Sequence, residues 1–192
     1  MSKPRCREEV KSDEEWSAVL WLQEAVRHHL VLEWEYEPAS FALFPPATYQ
    51  EVKHLKTKDK IVDRCLCQGA SYTPDFVITF TQKGKRLLLD TFKKSFMATG
   101  SEEYRIWIDV KGAFNPNDQP RYFSVIQKAM YYINGLWVSR IVPFHKQGRK
   151  AKGLFAETFA PESCRYMKRG PLNACGRACV GVEQFLELKC SK

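Results

Sequence analysis

Apolar and polar residues alternate regularly through "RIWIDVKGAF", at residues 105–114. Three aliphatic residues alternate here with Trp107, Asp109 and Lys111. Successive side chains of a β-strand point to opposite faces, so the pattern predicts a strand with the aliphatic residues on one face and these three on the other. An acid and a base therefore share one side. An ion pair on a solvated edge strand is one interpretation, and a functional site is the other.

A helix followed by strands is predicted in the first quarter of the chain. Ser12 and Glu15 have the spacing of a capping box, and apolar residues at helical spacing behind them predict a helix over about Asp13–His29. Alternation in "LVLEWEYEP" predicts a strand that ends at Pro38. The segment "SFALFPPATY" continues as a short strand closed by the proline pair.

The middle of the chain is predicted to contain charged segments around another strand. Lys53–Lys60 reads as a charged loop or insertion, and "SYTPDFVITF" as a new strand entered through a proline. The basic stretch 81–104 contains "KRLLLDTF", whose pattern fits either a strand or a short helix. The elements thus alternate between strands and polar connections.

After the strand at residues 105–111, the pattern predicts a turn-rich loop, a helix and a strand. The loop is "NPNDQP", the helix is "RYFSVIQKAMYYI" closed by Asn134 and Gly135, and the strand is "LWVSRIVPF". His145–Gly153 reads as a basic loop, either a solvated connector or an arm that contacts phosphates. Beyond it, only "VEQFLELK" shows clear periodicity. This order predicts an α/β fold with a central mixed β-sheet flanked by helices.

Composition indicates one main globular domain with a polyanionic partner. The 192 residues are 44% hydrophobic and carry a net charge of +8. This charge divides into −5 over residues 1–51 and +13 over residues 52–192. Such a basic imbalance favours nucleic acid as the partner, and an acidic membrane surface is the less favoured interpretation because no amphipathic basic helix stands out. No apolar run reaches the roughly 20 residues of a membrane span, and the first residues are charged, so we expect a cytoplasmic protein without a membrane partner.

Seven cysteines without a secretory signal are expected to be reduced thiols. A structural Zn²⁺ site is the less favoured interpretation of the last four, because neither pair has the two-residue spacing of a zinc knuckle. These four are Cys164, Cys175, Cys179 and Cys190.

Two acids and a lysine are predicted to lie at strand ends. Pro74 and Asp75 begin one predicted strand, and Asp109 and Lys111 lie on another. Two carboxylates that converge beside a lysine suit phosphodiester hydrolysis, since carboxylates can hold Mg²⁺ and a lysine can orient or deprotonate the attacking water.

The segments "YTPDF" and "IWIDVKG" together resemble the motif of the PD-(D/E)xK nuclease superfamily. The likeness covers roughly Asp13–Phe144 and is greatest to small phage-type endonucleases, including junction-resolving enzymes of the endonuclease I type. It implies a restriction-endonuclease-like core over residues 1–160, with an insertion around 81–104. Residues 161–192 would form a basic, cysteine-containing C-terminal extension.

The resemblance also implies roles for the motif residues. Asp75 and Asp109 would bind Mg²⁺ or Mn²⁺, and the backbone carbonyl of Val110 would add a ligand. Lys111 would serve the nucleophilic water. No organic cofactor is expected, because the sequence has no glycine-rich phosphate loop.

An acid on the first helix often completes the site in this superfamily. By resemblance Glu15 takes this role, with Glu14 and Glu24 as alternatives. Gln127, on the helix after the motif, is a further candidate to face the cleft, although a solvent-exposed polar residue is the simpler interpretation.

The resulting hypothesis is a metal-dependent endonuclease that acts on DNA, encoded by a phage or mobile element. A branched-DNA resolvase would act as a symmetric homodimer, whereas a nicking enzyme need not. A non-catalytic nucleic-acid-binding or assembly protein on a nuclease-derived fold is the alternative. The C-terminal extension and basic residues in two segments are predicted to contact DNA phosphates. The residues of the two segments are Lys83, Lys85, Arg86, Lys93, Lys94, Lys146, Arg149, Lys150 and Lys152.

Overall fold

The protein is described by a computed structural model that covers residues 3–89, 104–112, 120–147, 150–165 and 179–190. Strands in these residues are β1 (Val31–Tyr36), β2 (Phe41–Phe44), β3 (Ala47–His54), β4 (Asp59–Cys67), β5 (Ala70–Tyr72), β6 (Phe76–Phe80), β7 (Arg105–Val110), β8 (Val138–Ile141), β9 (His145–Gln147) and β10 (Lys150–Lys152).

Helices lie before, between and after these strands. A short 3-10 turn at Arg7–Glu9 precedes the first helix, and a π-helical segment at Lys85–Leu89 follows the second. The α-helices are α1 (Asp13–Arg27), α2 (Gln82–Gly84), α3 (Pro120–Asn134), α4 (Leu154–Glu157), α5 (Glu162–Arg165) and α6 (Val182–Cys190).

The central sheet has four strands in the order β1-β6-β7-β8. The pairs β1–β6 and β6–β7 are antiparallel, whereas β7 and β8 are parallel and are separated in sequence by α3. This confirms the predicted α/β class with a mixed sheet. It also makes β7 an interior strand, so the edge-strand interpretation of Asp109 and Lys111 is wrong.

The two faces of β7 pack against different helices, as its alternation predicts. Ile106 and Ile108 are buried in the main core with residues of α1. Trp107 points the other way, into a second cluster with Met130 of α3 and Phe41 of β2. The Trp107 and Phe41 rings meet edge to face, with centroids 5.2 Å apart. The sheet is therefore covered on both faces around β7.

Helix α1 begins at the predicted capping box. The Ser12 hydroxyl accepts a hydrogen bond from the Glu15 N–H at 3.1 Å, which satisfies one of the free amides of the first turn. The helix ends at Arg27, two residues earlier than expected. His29 takes a left-handed conformation with φ 56°, and this redirects the chain into β1.

Two predicted loops contain β-hairpins instead. Lys53–Lys60 was expected to be a loop or insertion, but it is the end of the β3–β4 hairpin, where Lys53 pairs with Lys60. His145–Gly153 was expected to be a connector or arm, but β9 and β10 pair within it. These strands were missed because neither hairpin alternates apolar and polar residues in the manner of a half-buried strand.

The basic stretch after β6 is helical where the structure describes it. The Thr81 hydroxyl accepts a hydrogen bond from the Gly84 N–H at 2.9 Å and so caps α2. Leu87 and Leu88 of the π-helical segment are buried in the main core. This part of "KRLLLDTF" is therefore a helix and not a strand. The predicted loop "NPNDQP" lies outside the described residues except for Pro120, which begins α3.

The last described segments contribute to the main core. Phe159 stacks on Trp21 of α1 with ring centroids 5.3 Å apart, and Phe185 of α6 contacts Phe159. Cys164 and Val182 are buried in the same cluster. Residues beyond 160 therefore help to hold α1 in place. No helix among the described residues is long and apolar enough to cross a membrane.

Candidate functional site

Asp75 and Asp109 lie together on adjacent antiparallel strands. Phe76 faces Ile108 in the β6–β7 register, so the preceding Asp75 comes beside the end of β7. There Asp75 Oδ2 accepts a hydrogen bond from the Val110 N–H at 2.6 Å. The two aspartates are 8% and 2% exposed. Two carboxylates that are distant in sequence thus lie side by side, and both are almost fully buried.

Lys111 joins this pair immediately after β7. Its Nζ lies 2.9 Å from Asp109 Oδ2, and its side chain is 39% exposed. The Lys111 N–H donates to the Ile141 carbonyl at 2.8 Å, which holds the residue against β8. The ammonium group therefore links the buried carboxylate to solvent.

Tyr72 holds the other oxygen of Asp109. The Tyr72 hydroxyl donates a hydrogen bond to Asp109 Oδ1 at 2.6 Å. Burial and the Asp109 charge raise the pKa of Tyr72, so the hydroxyl keeps its proton. The sequence analysis gave Tyr72 no role. Its only signal was its place three residues before Asp75, because its partner Asp109 is 37 residues away in the sequence.

Glu15 lies at the start of α1 with three hydrogen bonds to its carboxylate. Its Oε2 accepts from the Tyr36 hydroxyl at 2.7 Å and from the Lys11 N–H at 3.2 Å. Its Oε1 accepts from the Ser12 hydroxyl at 3.1 Å. The Glu15 charge also contributes to the raised pKa of Asp75. Glu15 therefore takes part in the capping box with Ser12 and acts electrostatically on Asp75.

The two alternative helix glutamates differ in their location. Glu14 lies beside the end of β7. A Cβ added to Gly112, two residues after that strand, would come within 3.0 Å of Glu14 Oε1. Glu24 lies on the later half of α1, where it lines a groove with Glu162 and Val182. Glu14 and Glu15 are thus near the end of β7, whereas Glu24 faces another part of the protein.

The aspartates are electrostatically coupled. Burial, followed by the charge of Asp109, raises the pKa of Asp75 to about 7, against the opposing effects of the Val110 N–H and Lys111. Burial lowers the pKa of Lys111, but the neighbouring carboxylates outweigh it and the pKa is raised overall. Lys111 is therefore a cation at neutral pH, and Asp75 is easily protonated in the absence of another positive charge.

The donor chemistry of the aspartate pair suits a hard divalent cation. Mg²⁺ commonly binds one or two carboxylates and completes its shell with water and phosphate oxygens. A cation between Asp75 and Asp109 would relieve the repulsion that raises the Asp75 pKa. Among the described residues, no group of three or more histidine, cysteine or acidic side chains is arranged to hold a metal. The available set is thus two carboxylates, with a backbone carbonyl as a further ligand.

Gln127 is half-buried, so the interpretation as a solvent-exposed polar residue is wrong. Its Nε2 donates to the Val138 carbonyl at 2.6 Å. Val138 lies opposite Trp107 in the parallel β7–β8 pair. The residue opposite Asp109 comes two positions later in β8. The amide is therefore used to fasten α3 to β8.

The predicted DNA-contacting residues are only partly described. Lys85 and Arg86 line a surface groove with Tyr104, and the Lys85 Nζ lies 4.7 Å from the centroid of the Tyr104 ring. Lys83 lines the same groove, and Lys152 is exposed at the end of β10. The remaining predicted residues lie outside the described residues or have undescribed side chains: Lys93, Lys94, Lys146, Arg149 and Lys150.

The cysteines of the zinc interpretation are also partly described. Cys164 and Cys179 are buried. Burial raises the pKa of the Cys164 thiol to about 12, which favours the neutral thiol. Cys175 and the side chain of Cys190 lie outside the described residues.

Comparison of the chain with protein-family models, with curated proteins and with solved structures found no match. The geometry of this site and the motif resemblance of the sequence are therefore the two observations that bear on function.

Proposed function

We propose that the protein is a metal-dependent endonuclease that hydrolyses DNA phosphodiester bonds. The observation that carries the proposal is the convergence of Asp75, Asp109 and Lys111 at one end of β6 and β7. Such a group of buried charges is costly to maintain for stability alone, and perturbed carboxyl pKa values are typical of functional sites.

The arrangement of the elements supports the same proposal. The central sheet and its two long helices follow the order α1, β1, β6, β7, α3, β8. Strands β6 and β7 carry the two parts of the motif that resembles PD-(D/E)xK nucleases. A restriction-endonuclease-like core is therefore the finer fold assignment that we propose.

The proposed chemistry assigns a task to each residue. Asp75, Asp109 and the Val110 carbonyl would hold Mg²⁺ or Mn²⁺, which supplies Lewis-acid stabilisation of the phosphate. The Lys111 ammonium would donate hydrogen bonds to the attacking water or to a phosphate oxygen. Its raised pKa favours this orienting role over proton abstraction. Water attacks phosphorus and the bond to the 3′-oxygen breaks, which leaves a 5′-phosphate.

A substrate panel tests the proposal. Duplex, single-stranded, nicked and four-way-junction DNA would be incubated with the protein in Mg²⁺ or EDTA. We expect Mg²⁺-dependent cutting that falls by about 10²–10⁴ in Lys111→Ala, the range for a group that assists the nucleophile. Lys128→Ala, which removes an exposed lysine of α3, is the matched control and should cut normally.

The preferred substrate would refine the proposal. Preference for the junction, with a dimer in solution, would favour a resolvase encoded by a phage or mobile element. Preference for duplex or nicked DNA would favour a nicking enzyme. DNA binding without cutting of any substrate would contradict the nuclease proposal and support a non-catalytic binding protein.

A further inference from the structure

The β3–β4 hairpin is an isolated two-stranded ribbon, which we call the basic ribbon (residues 47–67). Its strands pair with each other from Ala47–Cys67 to His54–Asp59. Neither strand pairs with another strand in the described part of the chain. At about 3.3 Å per residue, the eight residues of β3 give the ribbon a length of roughly 25 Å.

Both faces of the basic ribbon are open to solvent. Val52 and Ile61 face each other across the strands and are 50% and 63% exposed. Tyr49, on the opposite face, is 48% exposed. A two-stranded hairpin with no buried face is at best marginally stable by itself in water. Such a long exposed ribbon therefore indicates a contact with another molecule.

Positive charge is concentrated at the tip of the ribbon. Residues 53–60 contain one acid, Asp59, and its carboxylate is paired with His54 Nδ1 at 2.8 Å. Leu55 lies in the turn and is 49% exposed. Four lysines of this tip form no ion pair with any residue that the structure describes: Lys53, Lys56, Lys58 and Lys60.

The root of the ribbon connects it to the candidate site. The ribbon emerges from the β2–β5 pair, whose residue Tyr72 contacts Asp109. At the root, a Cβ added to Gly69 would come within 3.2 Å of both the Phe44 carbonyl oxygen and Pro46 Cδ. This close approach fixes the start of the ribbon against β2. The ribbon therefore extends from the strand pair that supports the site.

We propose that the basic ribbon binds a groove of duplex DNA and holds the duplex at a distance from the cutting site. This inference rests on the proposed function. The major groove is wide enough to admit a two-stranded β-ribbon, and its rims are phosphates that the tip lysines complement. From Tyr72 back to Lys58, in the turn, the chain is fourteen residues, so the tip reaches at most about 46 Å from Tyr72. That distance corresponds to about 14 base pairs of duplex at about 3.4 Å per base pair.

The test measures binding separately from cutting. Affinity for a labelled duplex of about 40 base pairs would be measured in EDTA over a range of salt concentrations. The variant is Lys56→Gln/Lys58→Gln. The matched control is Arg5→Gln/Arg27→Gln, which removes two exposed charges near the opposite end of α1 from Glu15.

Each lost phosphate contact should reduce the slope of log affinity against log salt by about 0.9. We therefore expect the ribbon variant to have a slope smaller by about 1.8 and at least roughly tenfold weaker binding at 0.1 M salt. Its footprint should shorten on one side, within about 14 base pairs of the cut. The control should keep the slope and the footprint of the wild type.

The outcomes distinguish failure of the ribbon inference from failure of the nuclease proposal. Normal affinity, slope and footprint in the ribbon variant would overturn the ribbon inference, even if the protein cuts DNA. A reduced slope in a protein that never cuts would support the ribbon and contradict the nuclease. If the wild type is a dimer and the ribbon variant is a monomer in sedimentation, the ribbon is an interface between copies and the inference is wrong.

Discussion

The central sheet and the basic ribbon depart from the usual distribution of residues in opposite ways. Near the end of β7 the sheet buries charged groups, with Asp109 2% exposed. The ribbon exposes apolar groups, with Ile61 63% exposed. A fold needs neither arrangement, since charges prefer water and aliphatic side chains prefer the core. Both departures therefore mark the parts of the molecule where a function is to be sought.

The two regions also differ in how their unusual groups are stabilised. Asp109 is held by Tyr72 and Lys111 within the protein. Val52 and Ile61 face each other across the ribbon and are 50% and 63% exposed. The groups of the site are thus held within the protein, whereas by our proposal the ribbon would gain further contacts on binding DNA. The following substitutions test this contrast, from the largest expected effect to the smallest.

Truncation of an isoleucine should reduce the free energy of unfolding much more in the central sheet than in the ribbon. Ile106→Ala removes a fully buried side chain from β7 and should lower the free energy of unfolding by about 3 kcal/mol. Ile61→Ala makes the same change on the ribbon and should cost under about 0.5 kcal/mol. Urea unfolding followed by circular dichroism measures both values. Equal losses would show that the ribbon packs against the body of the protein.

Loss of the Tyr72 hydroxyl should leave Asp109 Oδ1 without its hydrogen-bond donor. Tyr72→Phe removes the donor to a buried carboxylate, so we expect a loss of about 1.5–3 kcal/mol in stability. It should also raise the Mg²⁺ concentration at half-maximal cutting. Tyr132→Phe, at a site that is 83% exposed, is the control and should behave as wild type. An unchanged Mg²⁺ requirement would mean that Tyr72 has a structural role alone.

Neutralisation of Asp75 should stabilise the metal-free protein at alkaline pH. The pKa of Asp75 is raised to about 7 in the folded state, so the folded protein binds this proton more tightly than the unfolded chain. The contribution of Asp75 to stability is therefore greatest below about pH 4 and is lost as pH rises through 7. Asp75→Asn avoids this loss. We expect it to be about 1–2 kcal/mol more stable than wild type at pH 8 in EDTA, with little difference at pH 4.

Mg²⁺ should reverse the order of stability of the wild type and Asp75→Asn at pH 8, because it should stabilise the wild type and not the variant. Thermal unfolding in EDTA and in Mg²⁺ measures this. Asp63→Asn is the control, since Asp63 is exposed on the ribbon. A wild type that is as stable as Asp75→Asn at pH 8 would show that the aspartates do not repel each other.

Local patterns predicted most of the elements around the site. The alternation in β7 placed Asp109 and Lys111 on one face, and Ser12 marked the start of α1. Contacts between distant segments were not predictable in this way. The Tyr72 hydroxyl reaches Asp109 across a sequence separation of 37 residues, and the Tyr36 hydroxyl reaches Glu15 across 21 residues. Sequence periodicity reports which face is buried, and it carries no information about such partners.

The ribbon was missed for a related physical reason. Periodicity detects a strand through its buried face, and a ribbon exposed on both sides has none. The density of lysines then favoured a loop over Lys53–Lys60. In the C-terminal region, Phe159 and Phe185 contact each other without a regular spacing, so the sequence did not show that they join the core.

The tight root at Gly69 has a consequence for how the protein could be altered. Because the contacts at Gly69 fix the root, the residues beyond it can be shortened or lengthened without moving Tyr72. Cross-strand pairs would be removed or added two at a time, since a single pair would exchange the two faces. Each such step changes the length by about 7 Å, or roughly two base pairs. On the proposed function, the hairpin would thus be an exchangeable part whose length sets the spacing between its DNA contact and the candidate site.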